Sequence, residues 1–168
     1  MLSSKWRQLI VAFLLLTSLH ASAQTVFTSS SVMPVRMEVL TACVVHVSDL
    51  NFGNYTSNST TPVLGQTSIQ LSCAPGTNAE IFLDNGASPG GNTGRRNLRQ
   101  ESGNDRMDYD LFQDAGRTIH WGDRSGVDTF EVFVEEGARV IPIYGEIPGG
   151  QRVREGTYGD VITISVHY

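Results

Sequence analysis

His46, His120, His167, the carboxylate pairs Asp108/Asp110 and Glu135/Glu136, and the cysteines Cys43 and Cys73 are the residues with which this chain could do chemistry. The histidines lie far apart in sequence, and no Gly-x-Ser-x-Gly elbow, His-Glu-x-x-His pair or phosphate-cradling glycine loop accompanies them. Two carboxylates could serve a glycosidase, but strand alternation would place Asp108 and Asp110 together on the solvent face of one strand. Asp105, Asp108 and Asp110, and the stretch from Asp123 to Asp128, invite a calcium reading. Neither has the ordered ligand spacing of a calcium loop, so acidic turns are the plainer account. Trp121 could stack on a sugar if exposed, though a tryptophan in an apolar run ordinarily packs in a core. The residues therefore point to no catalysis, no metal and no cofactor.

The cysteines carry more information once the compartment is known. Lys5 and Arg7 precede the apolar run Leu9 to Leu16, and Ala21-Ser22-Ala23 supplies the small residues a signal peptidase accepts. This order reads as a secretory signal over residues 1–23, and its apolar stretch is shorter than the ~20 residues a membrane span needs. No later segment qualifies as a span, so the mature chain, starting at Gln24, is expected to have none. In an oxidising compartment Cys43 and Cys73 are expected to form a disulfide, closing a loop of about 30 residues worth roughly 3–4 kcal/mol. A zinc site would need further ligands at tight spacing, and no histidine stands in register with either thiol.

Of the 12 basic side chains, Lys5 and Arg7 fall in the signal, leaving 10 against 17 acidic ones. A chain in which the remaining positive charges are all arginine, and outnumbered, is a poor partner for nucleic acid. Arg95, Arg96 and Arg99 sit in a Gly/Asn-rich stretch and read as a solvated loop.

The elements that would position these residues are strands. Ile69, Leu71 and Cys73 alternate with Gln70 and Ser72; Ile81 and Leu83 run into the turn Asp84-Asn85-Gly86; Phe130, Val132 and Val134 alternate in turn. Val140 to Tyr144 is apolar around Pro142, which marks a sheet edge or a bulge. Residues 86–106 read as a mobile polar loop, and Asp160 to Tyr168 as a final alternating strand. Many short strands between turns indicate one all-β sandwich domain. The last strand runs to the final residue with nothing after it to cover its edge, and Met33, Val35, Met37 and Val39 alternate in the leader before Cys43. That leader could be the first strand of its own sandwich, or a strand offered to an open edge on another copy. Added head to tail, the second arrangement gives a fibre.

Several motifs recur in order along the chain. They are Leu50-Asn51-Phe52-Gly53-Asn54-Tyr55 after the first cysteine, Ile69 to Cys73, Asp108-Tyr109-Asp110-Leu111-Phe112, Ile143-Tyr144-Gly145-Glu146-Ile147-Pro148 with Gln151, and Gly156 to Ile164. In this set the chain resembles the spore coat U domain family, the subunits of archaic (Csu-type) chaperone–usher pili, with Phe112 in place of the family's usual tyrosine. The resemblance implies an incomplete immunoglobulin-like β-sandwich that lacks its last strand and is completed by donor-strand exchange. On that expectation residues 24–42 are the donor leader, with anchors Met33, Val35, Met37 and Val39, and residues 43–168 are the pilin domain. Ile162, Ile164 and Val166 would line its acceptor groove. The implied partners are neighbouring pilin subunits, a periplasmic chaperone and an outer-membrane usher, and the implied location is a pilus on the bacterial surface, serving adhesion and biofilm formation. Two methionine anchors are less shape-specific than branched residues and suit a minor subunit as well as a shaft one. The alternatives are a monomeric secreted carbohydrate-binding sandwich and a protective coat or envelope protein of the same fold.

Overall fold

Two glycines explain how the longest strands lie together. In the computed structural model, which describes residues 30–38, 42–88 and 95–168, β2 (Val63–Cys73) pairs antiparallel with β7 (Ala138–Ile147) along nearly their whole lengths. Gly65 and Gly145 stand opposite each other in that ladder. A Cβ on Gly65 would come within 2.9 Å of Leu50 and Phe52, and one on Gly145 within 2.6 Å of Phe52. The missing side chains thus make a recess on the inner face, and the Leu50-Asn51-Phe52 segment fills it. Phe52 then meets Tyr109 edge-on at 6.1 Å.

The chain divides into two units, residues 1–38 and 39–168. In the first, residues 30–38 form no regular element, and Val32, Met33, Val35 and Met37 are exposed. Val39, the expected signal segment and its expected cleavage site lie outside the described residues.

The second unit is an all-β sandwich, with no helix among the described residues. Its strands are β1 (Cys43–Val47), β2, β3 (Thr77–Leu83), β4 (Arg96–Gln100), β5 (Arg106–Phe112), β6 (Phe130–Val134), β7, β8 (Tyr158–Gly159) and β9 (Ile164–His167). A six-stranded sheet runs β1-β2-β7-β5-β4-β8, and a three-stranded sheet runs β6-β3-β9. Two-residue alternation sorts the side chains as the pleat requires. Ile69, Leu71, Ile141 and Ile143 face inward from the first sheet, and Ala79, Ile81 and Leu83 from the second. Trp121 closes the core with none of its surface exposed. Its indole N–H donates to the Ile81 carbonyl at 3.0 Å, and its ring stacks obliquely on Phe130 at 5.1 Å.

Pro142 sits inside β7 where that strand has β2 on one side only, since β5 pairs no further than Tyr144. The missing N–H therefore costs no ladder bond on the open side. Two expectations need correction. Residues 86–106 are not one mobile loop, because β4 forms inside that stretch and pairs with both β5 and β8. Arg96 is likewise no solvated residue: it is 1% exposed, while Arg95 and Arg99 do face solvent. Its guanidinium donates to the carbonyls of Asp84, Leu83 and Trp121 at 2.8–2.9 Å and pairs with Asp110 at 3.3 Å. Burial pulls its pKa down, and the Asp110 carboxylate opposes that pull. Asp108 and Asp110 do share a face, but both are half-buried and partnered, Asp108 by Asn97 and Asp110 by Arg96 and His120.

Candidate binding cleft

Native cores leave few voids larger than a water molecule. Here a cleft of about 1070 Å³ reaches down to the core itself. Leu83, Met107, Tyr109, Leu111, Ile143 and Ile147 form its floor, each almost fully buried. Val47 at the end of β1 and Leu50, Phe52, Leu98 and Val153 line it further out. Ile162 and Ile164 form the remaining wall.

Topology accounts for the opening. Among the described residues, β1 is an edge strand with β2 as its one neighbour, and β9 is an edge strand with β3 as its one neighbour. Each sheet therefore contributes a residue of an edge strand to the cleft lining, Val47 from one and Ile164 from the other. The wall is held lightly. Only Ile164–His167 forms a ladder with β3, shorter than the strand expected from Asp160 onward. Residues 160–163 are tied instead by single bonds: Asp84 N–H to the Thr163 carbonyl at 3.1 Å, Ala87 N–H to the Val161 carbonyl at 3.0 Å, and Thr163 N–H to the Asp84 carboxylate at 2.9 Å. Burial works against the charged Asp84, but donors at Thr163 and Gly86 outweigh it and hold the carboxyl below its ordinary pKa.

Polar groups at the floor are already spent. The Tyr109 hydroxyl donates to Asp160 at 2.9 Å, and burial, then that bond, pushes the phenol's pKa up. Asp160 also accepts from Ser88 N–H at 3.2 Å. Beside the cleft, the Gln151 side chain caps β5 by accepting from Asp108 N–H at 2.7 Å and donating to its carbonyl at 2.9 Å. The Gln151 backbone N–H donates to the Tyr55 hydroxyl at 2.9 Å. A cleft with an apolar floor, unpaired strand edges and satisfied polar groups is suited to receiving an extended apolar segment.

Of the residues singled out in the sequence, Cys43 and Cys73 are bonded and stand directly opposite in the β1–β2 ladder. Ile162 and Ile164 line the cleft. Val166 lies beyond it, half-buried against the core. Arg96 and the Tyr109–Asp160 pair escaped sequence reasoning, as did the recess at Gly65 and Gly145. The paired glycines in otherwise apolar strands were the available signal for the recess.

The motifs that looked separate in the sequence meet around this cleft: Phe52 on Gly145, Tyr55 on Gln151, Tyr109 on Asp160. The Spore Coat Protein U domain matches residues 29–165. The chain belongs to that family. Protein U of Myxococcus xanthus is 34% identical over 129 residues, which is 71% of each chain. Among solved structures, similarity extends to a chain of the CsuC–CsuE chaperone–tip adhesion subunit pre-assembly complex from the archaic chaperone-usher Csu pili of Acinetobacter baumannii. That match has a TM-score of 0.58 at 23% identity over 77% of this chain, which spans 40% of the other's length. The E. coli Hda pilus minor tip subunit, HdaB, aligns over 74% of this chain and 79% of its own, with 16% identity and a TM-score of 0.40. The family member described here is thus an all-β sandwich whose core is reached by a long cleft.

Proposed function

We propose that this chain is a structural subunit of a bacterial surface pilus, exported through the periplasm and polymerised by donor-strand complementation along the chaperone–usher route. The observation that carries the reading is the cleft: core side chains lie at its floor, and β1 and β9, each an edge strand among the described residues, contribute to its lining. An added strand would satisfy backbone groups on those edges and bury alternate side chains. The leader has the matching pattern, with Met33, Val35 and Met37 exposed, and Val39 continuing the alternation in sequence. Four such side chains would contribute about 1.5–3 kcal/mol each on burial. The resemblance to a subunit–chaperone complex from Csu pili supports a periplasmic chaperone as the first donor, an outer-membrane usher as the site of exchange, and adhesion and biofilm formation as the role.

The test removes residues 24–41 and returns them as a synthetic peptide. The expected result is a large rise in melting temperature on adding the peptide. A truncated chain that is already stable, and whose melt the peptide does not move, would show a sheet complete without a donor and leave a monomeric binding module as the reading.

A further inference from the structure

Beyond Met1 the chain has three methionines, and they divide sharply by exposure. Met33 is 81% exposed and Met37 84% exposed, both in the leader, whereas Met107 at the cleft floor is 4% exposed. We propose that Met33 and Met37 are oxidation sites through which peroxide-class oxidants block assembly before the leader is buried. The inference rests on the donor-strand reading above.

The chemistry is a two-electron oxygen transfer. The thioether sulfur attacks one peroxide oxygen, the O–O bond breaks, a sulfur–oxygen bond forms, and the second oxygen leaves as water. The product is a polar sulfoxide on a side chain that was apolar and flexible. Its oxygen needs a hydrogen-bond donor wherever it is buried. Among the six buried floor residues the one side-chain donor is the Tyr109 hydroxyl, already committed to Asp160 at 2.9 Å. A sulfoxide carried into that floor would therefore lose water and gain nothing. Branched aliphatic anchors would bury as well and could not be oxidised this way, so the methionines make the leader sensitive in a way Val35 is not. Sensitivity is confined to the free leader, because a strand seated in the cleft would be shielded as Met107 is. Enzymatic reduction of the sulfoxide would restore the thioether and with it the ability to assemble.

The experiment uses the full chain and three synthetic peptides of residues 24–41, carrying methionine, norleucine or methionine sulfoxide at positions 33 and 37. Norleucine keeps the shape and cannot form a sulfoxide. The methionine and norleucine peptides are expected to raise the melting temperature alike, and the sulfoxide peptide to bind at least about tenfold more weakly per oxidised position. If the chain lacks a clear melt by itself, the peptides are added during refolding and soluble yield is read instead. Equal effects from all three peptides would overturn the oxidation inference and leave the donor reading standing. No effect from any of them would overturn both. In parallel, brief peroxide treatment of the full chain should oxidise Met33 and Met37 well before Met107 by peptide mass, and uniform oxidation of all three would also count against the proposal.

Discussion

Two inward-facing residues of β3, Ile81 and Leu83, sit in contrasting surroundings. Around Ile81 the sandwich is finished: Trp121 and Ile81 are wholly buried, the Trp121 indole N–H donates to the Ile81 carbonyl, and the Trp121 carbonyl accepts from the buried Arg96 guanidinium. Around Leu83 the same strand borders the cleft, where Ile162 and Ile164 are half-buried and Val161 is 70% exposed. The difference is between side chains packed on all sides and side chains still partly in contact with solvent. Stability should therefore respond to substitution very unequally on the two sides.

The largest effect is expected at Arg96. Arg96→Ala leaves Asp110 half-buried without its cation and strips three carbonyls of their donor, which should cost about 3–5 kcal/mol. Thermal unfolding checks this, and a loss below about 1 kcal/mol would mean the packed side is less interdependent than its geometry indicates.

That side was also the less legible one in the sequence. Apolar alternation made β2, β3 and β6 readable, because those strands bury one face and show the other. β4 was missed because its inward residues include Arg96 and Gln100, which are buried only through bonds to other segments. No local pattern announces a buried arginine, since its partners Leu83, Asp84 and Trp121 lie at least a dozen residues away. The cleft wall was visible the other way round. Ile162, Ile164 and Val166 alternate plainly, but alternation does not say where a ladder stops, and the structure gives ladder pairing only from Ile164. Which alternating residues reach the cleft was beyond the sequence as well, for Val166 shares the face and yet lies past the opening.

A matched pair of truncations sharpens the contrast. Ile81→Ala on the finished side removes a fully buried side chain and should cost about 2–4 kcal/mol. Ile164→Ala on the cleft wall should cost about 1 kcal/mol in the isolated chain, because its side chain is only half removed from water. With the leader peptide bound, the cost at Ile164 should rise toward that at Ile81, since the cleft would then be filled. Equal costs in the isolated chain would mean that the wall is already packed.

The smallest effect concerns how the wall is fastened. Asp84 joins the end of β3 to the residues before β9, accepting from Gly86 N–H at 3.0 Å and Thr163 N–H at 2.9 Å. Its folded pKa lies below the unfolded value of about 3.9. A depressed carboxyl contributes stability that is present above the unfolded pKa and lost as pH falls from there through the folded one. Asp84→Asn keeps an acceptor for the two N–H groups but removes the titration, so its stability should fall less steeply than the wild type's below about pH 4. Asp128, whose pKa is also depressed and whose carboxylate is bound by Arg124 at 2.6 Å, provides the comparison on the Trp121 side. Asp84 is half-buried whereas Asp128 is buried, so Asp84's share of the acid limb should be the smaller of the two and shrink further in salt. Acid unfolding curves of wild type, Asp84→Asn and Asp128→Asn separate these contributions. Superimposable wild-type and Asp84→Asn curves would mean that the wall is fastened by the backbone bonds of Thr163 and Val161, with the carboxylate adding nothing.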